Sequence, residues 1–578
     1  MKRAARRPPL PAWLRWPGLV LALVLVLAYR LSEGNAAALL SPEARGAMAD
    51  FARGFWPPAH DPEFLTFLVR PLVETVAIAF LGMSLALLLA APLAYLAAAP
   101  DLVATRGERP GSLRRASFGL ARTVLNLMRS IPEIIWALVF VRAVGMGPAA
   151  GILAIGIGYA GILGKVFAEI FESTPREAAR GLAASGATRL GAFAFGLLPS
   201  SLPLVASYAL YRFDCALRAS AVLGLVGAGG LGLQLELSIK MFAYHEVATM
   251  VLALFAVVAG VDLLSQRVRR RIHGGGGLFP VGMTALRVRG VVVAAWAGLA
   301  ALAAAFLDLP LKDLLSSATA RSVASFAASM WPPDLDPAFL REIAPAAVGT
   351  LAVSILGTAI AAALGILLAY PAAWRVHALR RSGGARSPAR RVAMEAASWT
   401  ARALLNLGRT LPELLWALVL IFAVGLGPFA GALALGIHTA GVLGRLYAEV
   451  LEEVPGGPVQ ALENAGAPGL AVSAFAVLPQ ATAQLVAYTL YRWEVAIRAS
   501  AVLGIIGAGG IGALLHVSLN LFHHHRTLTL VAVIVGMVTL VDLFSGWLRR
   551  RILEGPAPEG APPEPRAVPG GPAVADAW

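Results

Sequence analysis

Residues Tyr211–Gly232 read YRFDCALRASAVLGLVGAGGLG, and residues Tyr491–Gly512 read YRWEVAIRASAVLGIIGAGGIG. Fifteen of these 22 positions are identical at an offset of 280 residues. A repeat this close means that the chain carries two copies of one structural unit, and duplication outranks local signals when a fold is read. Working outward, Ser130–Leu138 (SIPEIIWAL) pairs with Thr410–Leu418 (TLPELLWAL) at the same offset. Trp56-Pro57-Pro58 pairs with Trp331-Pro332-Pro333 at an offset of 275, which places a gain of five residues in the loop near Arg380–Arg391. The join is Ile272–Gly277, whose four glycines make a flexible linker. The chain therefore divides into a first domain over 1–271, a linker over 272–282, a second domain over 283–554 and a disordered Pro/Gly-rich tail over 555–578.

Of the 578 residues, 58% are hydrophobic and 14% are charged, with a mean hydropathy of +0.73. A soluble domain carries ~25% charged residues. So little polar surface cannot coat several soluble domains, and a disordered chain is excluded by the same numbers. The single cysteine, Cys215, excludes an internal disulfide and a cysteine metal cluster. Uncharged runs span 22 residues at Ala143–Gly164, 22 at Leu190–Tyr211 and 26 at Thr75–Pro100. About 20 residues of helix cross a bilayer core, and these runs lack the alternation of a barrel strand. The fold class expected is an all-α polytopic membrane protein. The basic start Met1–Arg7 followed by Pro17–Tyr29 reads as an uncleaved anchor, because the second half has a similar run at Gly290–Leu307 that cannot be a signal peptide.

The net charge of +15 concentrates in arginine clusters at Lys2–Arg7, Arg106–Arg115, Arg267–Arg271, Arg375–Arg391 and Arg549–Arg551. Placing all of them in the cytoplasm requires about six spans per half, about twelve in all, with both termini inside. An even number per half makes the two halves parallel repeats about an axis along the membrane normal. The Trp- and Pro-containing stretches Phe55–Phe64 and Trp331–Phe339 then fall outside.

Ionisable residues inside the spans recur as Arg129/Arg409, Glu133/Glu413, Arg212/Arg492, Asp214/Glu494 and Arg218/Arg498. Each costs ~2.5–3.5 kcal/mol at the bilayer centre, so it should face a partner or a cavity. The candidates for lining a pathway are Arg129, Glu133, Arg212, Arg218 and Ser220 with their counterparts Arg409, Glu413, Arg492, Arg498 and Ser500. Arg129 and Glu133, four apart, read first as a structural pair along one helical face, and Asp214 with Arg218 has the same spacing. Arg218 and Arg498, beside the serines and the glycine run, read as lining the pathway of an anion. Pro132 and Pro412 predict kinks. Lys165/Glu169 and Arg445/Glu449 predict pairs near a helix end.

GAGGLG at Gly227–Gly232 matches a dinucleotide fingerprint, but its apolar, Ala-rich context is not a βαβ unit. The glycines read as breaking or closely packing helices. His523–His525 faces Ala243-Tyr244-His245 in the other copy, so the histidine cluster reads as a loop and not as a metal site. No Walker A, HExxH, CxxC or GxSxG motif occurs, so no catalytic constellation, metal site or ATPase is expected in this chain.

Between two spans lie Thr174–Pro199 and its copy, each with a Gly-Ala step (Gly186-Ala187, Gly466-Ala467) and, 12 residues after the glycine, a Leu-Pro step (Leu198-Pro199, Leu478-Pro479). With Arg129–Pro148 and the opening motif, these stretches resemble the membrane-spanning permeases of bacterial ABC importers, the phosphonate-transporter permeases in particular. The resemblance covers most of both halves. It implies two six-helix permease domains fused in one chain in the cytoplasmic (inner) membrane. It implies a separate ATPase dimer that binds the ATP and Mg and docks at Glu177, Arg180, Gly186, Ala187, Gln460, Gly466 and Ala467. It also implies an extracytoplasmic oxyanion-binding protein and alternating access for a phosphonate, phosphite or phosphate ester. The family signature places a glutamate six residues before the glycine; here Arg180 and Gln460 stand there, and Glu177 lies three residues too early. The competing class is a secondary transporter, which also uses parallel repeats and needs only an ion gradient.

Overall fold

A computed structural model describes residues 12–34, 41–102, 111–273, 283–310, 316–380 and 388–553. Most of the linker and the whole tail expected from the sequence lie outside these. Among the described residues, ten α-helices of eight or more residues in the first copy have ten counterparts in the second. The first set is α1 (Ala12–Leu31), α2 (Pro42–Gly54), α3 (Pro62–Ala97), α4 (Ser112–Ser130), α5 (Glu133–Val144), α6 (Pro148–Ser173), α7 (Glu177–Ala184), α8 (Leu198–Leu223), α9 (Gly230–Lys240) and α10 (Tyr244–His273). The second is α11 (Met283–Phe306), α12 (Ser317–Ser329), α13 (Pro337–Arg380), α14 (Pro388–Thr410), α15 (Glu413–Val424), α16 (Pro428–Glu453), α17 (Gly456–Asn464), α18 (Leu478–Leu503), α19 (Gly510–Asn520) and α20 (His524–Leu553). No strand occurs among the described residues.

Among the described residues, seven helices are long and apolar enough to cross a membrane, and ten if each of three bent pairs is one span. The remainder of the expected dozen are α1 and α11, whose apolar described portions are the shorter Leu21–Leu31 and Gly290–Phe306. The gained residues do fall where the sequence offset changes. Arg122 donates to the Ala97 carbonyl and Arg402 to the Ala372 carbonyl, so the offset is 275 at the end of α3 and 280 by α14.

The chain folds as two compact units. One comprises Ala49–Asp334 with Phe522–Thr539, the other Met1–Met48, Leu335–Leu521 and Leu540–Leu553. The first helix of each copy is thus exchanged. Ala28 of α1 is buried among Ala352, Val353, Leu356, Phe429 and Ala432. Ala303 of α11 is buried against Ala77 and Phe80, and Trp296 Nε1 donates to Ser84 Oγ at 3.0 Å. Ala28 and Ala303 are the buried alanines of these helices, while Leu23 and Val26, or Val291 and Leu302, stay exposed as lipid-facing residues do.

Within its unit α3 packs along α6, and α13 packs along α16 in the other. Cβ atoms added at Gly82 or Gly156 would lie 2.7 Å from Ile155 or 2.5 Å from Leu85, and Gly357 and Gly436 repeat the arrangement against Leu435 and Ile360. Such approach is how helices associate where lipid removes the hydrophobic drive. One end of the bundle is tied by charge. Arg122 reaches Glu172 at 2.8 Å, Glu172 accepts from the Ala99 amide, and Arg402 with Glu452 repeats the pair at 2.8 Å.

Candidate functional site

Three features recur in both units. The first is a broken span. Pro132 lacks an amide hydrogen and ends α4, and α5 leaves at 87°; α14 and α15 meet at 92°. Trp136 Nε1 donates to the Met128 carbonyl (3.4 Å) and Trp416 Nε1 to the Gly408 carbonyl (3.2 Å), bracing the bend. The break corrects one expectation. Arg129 and Glu133 stand on different helices, so their spacing of four does not put them on one helical face. Arg129 Nε donates instead to Asn126 Oδ1 and Arg409 Nε to Asn406 Oδ1, both at 3.2 Å. Glu133 and Glu413 each open the short helix after the break.

The second feature is the glycine run. After α8 the chain turns through Gly227, Gly229 and Gly230, all at positive φ (93°, 82° and 69°), and starts α9. Gly507, Gly509 and Gly510 do the same before α19. Side chains are excluded by contact as well: Cβ at Gly232 would lie 1.9 Å from the Ala221 carbonyl oxygen. The free first amides of the new helix need an acceptor in a dry place. Thr75 supplies it, accepting from the Leu231 amide at 2.8 Å, and Ser220 donates to the Thr75 carbonyl at 2.9 Å. Thr350, Ile511 and Ser500 repeat this at 2.9 and 3.1 Å. Ser220 and Ser500 are 1% and 4% exposed and are spent on this lock.

The third feature is the charged belt on α8 and α18. Arg218 pairs with Asp214 one turn away, as their spacing predicted. Glu494 instead takes Arg549 of α20 at 2.5 Å, a reach its extra methylene allows, and Arg498 Nε donates to the Glu494 carbonyl at 3.2 Å. Arg212 lies over the ring of Tyr159, 4.7 Å from its centre. Arg212 and Arg492 each have a buried Nε without a hydrogen-bond partner.

Outside these spans, α7 and α17 present matching exposed elements. Ala179 and Val459 are the buried anchors, and Gly196 approaches Ala179 so closely that a Cβ would lie 2.5 Å from its Cα. Glu177, Arg180, Gly186, Ala187, Gln460 and Gly466 are exposed, while Ala467 is half-buried. Gly186 (φ 88°) and Gly466 (φ 77°) close the two helices in a left-handed turn. The following amides, Ala187 and Ala467, donate back to the Leu182 and Leu462 carbonyls at 3.1 and 3.0 Å.

Residues 111–274 and again 388–554 match the family described as "Binding-protein-dependent transport system inner membrane component". The chain belongs to that family. It is 35% identical over 508 residues to the phosphate-import permease protein PhnE of Mycolicibacterium smegmatis, covering 86% of this chain and 87% of that one. It is 40% identical over 229 residues to the phosphite transport system permease protein PtxC of Stutzerimonas stutzeri, covering 40% of this chain and 77% of that one. A solved structure of the MetNI methionine ABC transporter in inward-facing conformations matches with a TM-score of 0.33 and 24% identity, covering 37% of this chain and 99% of that one. The protein is a multi-pass inner-membrane permease of an ABC importer with two fused permease domains, and its partners are an ATPase and a substrate-binding protein.

Several residues of the permease escaped the sequence reading. Thr75 and Thr350 sit in apolar runs where a lone hydroxyl is unremarked, and only their recurrence could have marked them. His245 and His525, read from the sequence as loop histidines, lie instead in the first turns of α10 and α20. Their Nδ1 atoms donate to the Pro57 and Pro332 carbonyls, each at 2.7 Å, and Thr249 and Thr529 donate to the Ala59 and Asp334 carbonyls at 2.7 and 2.8 Å. These bonds pin the Trp-Pro-Pro turn to the start of the last helix. The expected end pairs are present, Lys165 with Glu169 at 4.0 Å and Arg445 with Glu449 at 3.0 Å.

Proposed function

We propose that this permease carries a phosphonate or a related tetrahedral oxyanion, such as phosphite or a phosphate ester, by alternating access. The observation that carries the substrate class is the recurrence of arginines within the spans of α8 and α18, in a chain whose relatives are named for phosphate and phosphite. Guanidinium groups suit such anions because their planar N–H pairs match two oxygens at once. The ATPase is a dimer that binds the ATP and Mg, and it engages the exposed helices α7 and α17 from the cytoplasm. Closure of that dimer moves the two helices, and the Gly186 and Gly466 turns hold them stiff enough to pass the movement on. A binding protein that recognises oxyanions delivers the solute from the other side. Both termini then lie in the cytoplasm, in keeping with the arginine clusters. Glu177, Arg180 and Gln460 do the docking without the usual glutamate.

The test is ATP hydrolysis and uptake by the complex reconstituted in proteoliposomes, with methylphosphonate, phosphite, phosphate, a sugar and an amino acid in turn. Stimulation by the oxyanions is expected. Stimulation by the sugar or the amino acid alone overturns the substrate class.

A further inference from the structure

The partly buried Arg212 and Arg492 share an unpartnered Nε but differ in what faces the guanidinium. In the first copy the guanidinium of Arg212 faces the ring of Tyr159, a residue of α6 that is 3% exposed. A cation held over an aromatic face is stabilised, the more so the drier the place. One position earlier, Gly158 leaves room for Glu133, whose Cβ would lie 3.7 Å from a Cβ at that glycine.

In the second copy the offset of 280 puts Thr439 in place of Tyr159 and His438 in place of Gly158. Threonine has no aromatic face to offer. His438 engages Glu413, Nε2 to Oε2 at 3.5 Å, while its Nδ1 donates to the Leu411 carbonyl at 2.8 Å. Glu494, two residues beyond Arg492, is held by Arg549 at 2.5 Å. Glu413 and Glu494 are thus engaged by His438 and Arg549, and threonine replaces the tyrosine at the matching position. Arg492, like Arg212, is partly buried with an Nε that lacks a hydrogen-bond partner, but no acid or ring engages it among the described residues. A guanidinium left open in a span is costly, a cost expected only where the charge acts on something.

We propose that Arg492 is a binding station for the transported oxyanion, one per chain, and that Tyr159 closes the equivalent position at Arg212. This rests on the oxyanion reading above. The chemistry recognised is a tetrahedral anion presenting two oxygens to the planar N–H donors of one guanidinium. A single cation without further donors holds such an anion loosely, as a transit site must.

The experiment is equilibrium binding of radiolabelled methylphosphonate and phosphite to the purified full chain in detergent, with thermal unfolding of the same samples. The wild type is expected to bind one anion per chain. Arg492→Gln should weaken binding by about tenfold or more, since a hydrogen bond to a charged group contributes on that scale, with Arg492→Lys in between. Without ligand, Arg492→Gln should unfold no earlier than wild type, because no partner is lost. Tyr159→Thr should raise the capacity towards two anions per chain. Binding unchanged in Arg492→Gln, earlier unfolding of that variant without ligand, or no binding to wild type up to ~10 mM overturns the station. Oxyanion uptake by the complex alongside any of these results leaves the transport reading standing. Uptake of only sugars or amino acids overturns that reading first.

Discussion

The contact most open to a quantitative test is the hydroxyl of Thr75. Its Oγ1 accepts from the Leu231 amide at 2.8 Å and donates to the Pro71 carbonyl at 2.8 Å, and the residue is 1% exposed. In Thr75→Val a methyl group replaces the oxygen at nearly constant volume, so no cavity forms. The Leu231 amide then has no acceptor where water cannot reach it, which costs ~1–3 kcal/mol. The bond to Pro71 contributes little to the difference, since a helix interior already offers that carbonyl an amide. With a compact unit of this size, ~1–3 kcal/mol corresponds to a fall of roughly 2–6 °C in the unfolding midpoint. The assay is thermal unfolding of the full chain in detergent, followed by intrinsic tryptophan fluorescence. Thr66→Val is the control. Thr66 makes the same bond to the carbonyl four residues back (2.8 Å) but is exposed and supports no second helix, so its change should stay within ~0.5 kcal/mol. Thr350→Val should match Thr75→Val, because Thr350 accepts from Ile511 at 2.9 Å. The two changes share no partner and should add when combined. A Thr75→Val midpoint no lower than that of Thr66→Val would refute the account of the break.

Two further outcomes follow from the backbone. Gly232→Ala and Gly512→Ala each put a Cβ 1.9 Å from a carbonyl oxygen, of Ala221 and Ala501, and backbone cannot move aside. The yield of monodisperse protein should fall severalfold in each, whereas Gly181→Ala, with open space at that position, should gain up to ~1 kcal/mol from helix propensity. Replacing Gly186 and Gly466 by leucine forces a side chain into φ of 88° and 77°, at ~1–2 kcal/mol per residue. Transport per ATP hydrolysed in the reconstituted complex should then drop while the fold survives, and unchanged uptake in the double variant would sink the docking role of α7 and α17.

The duplication, the helical class and the broken span were legible because each rests on local rules. The two copies carry the same letters, apolar runs must be helical in lipid, and Pro132 or Pro412 cannot continue a hydrogen-bonded helix. The angle of the break was not legible. A proline implies some kink, but 87° reflects how α5 is held by Trp136 reaching back to Met128. The pair read from Arg129 and Glu133 went astray for that reason, since i,i+4 logic assumes an unbroken helix. The pair of Asp214 and Arg218, on an intact stretch of α8, came out as spaced.

The sequence by itself determined that this is a duplicated, multi-pass helical permease, where its helices break and which few charges sit inside its spans. Composition, periodicity and the repeat are properties of the chain alone, and in a membrane they leave little freedom. Only the tertiary structure decided the partners. It exchanged α1 and α11 between the two copies, gave Thr75 and Thr350 the task of receiving the first amides of α9 and α19, and separated Arg212 from Arg492. The repeat offset makes those two arginines look interchangeable. A tyrosine from α6 reaches one of them, whereas α16 carries a threonine at the matching position in sequence, and the first contact exists only once helices distant in sequence are side by side.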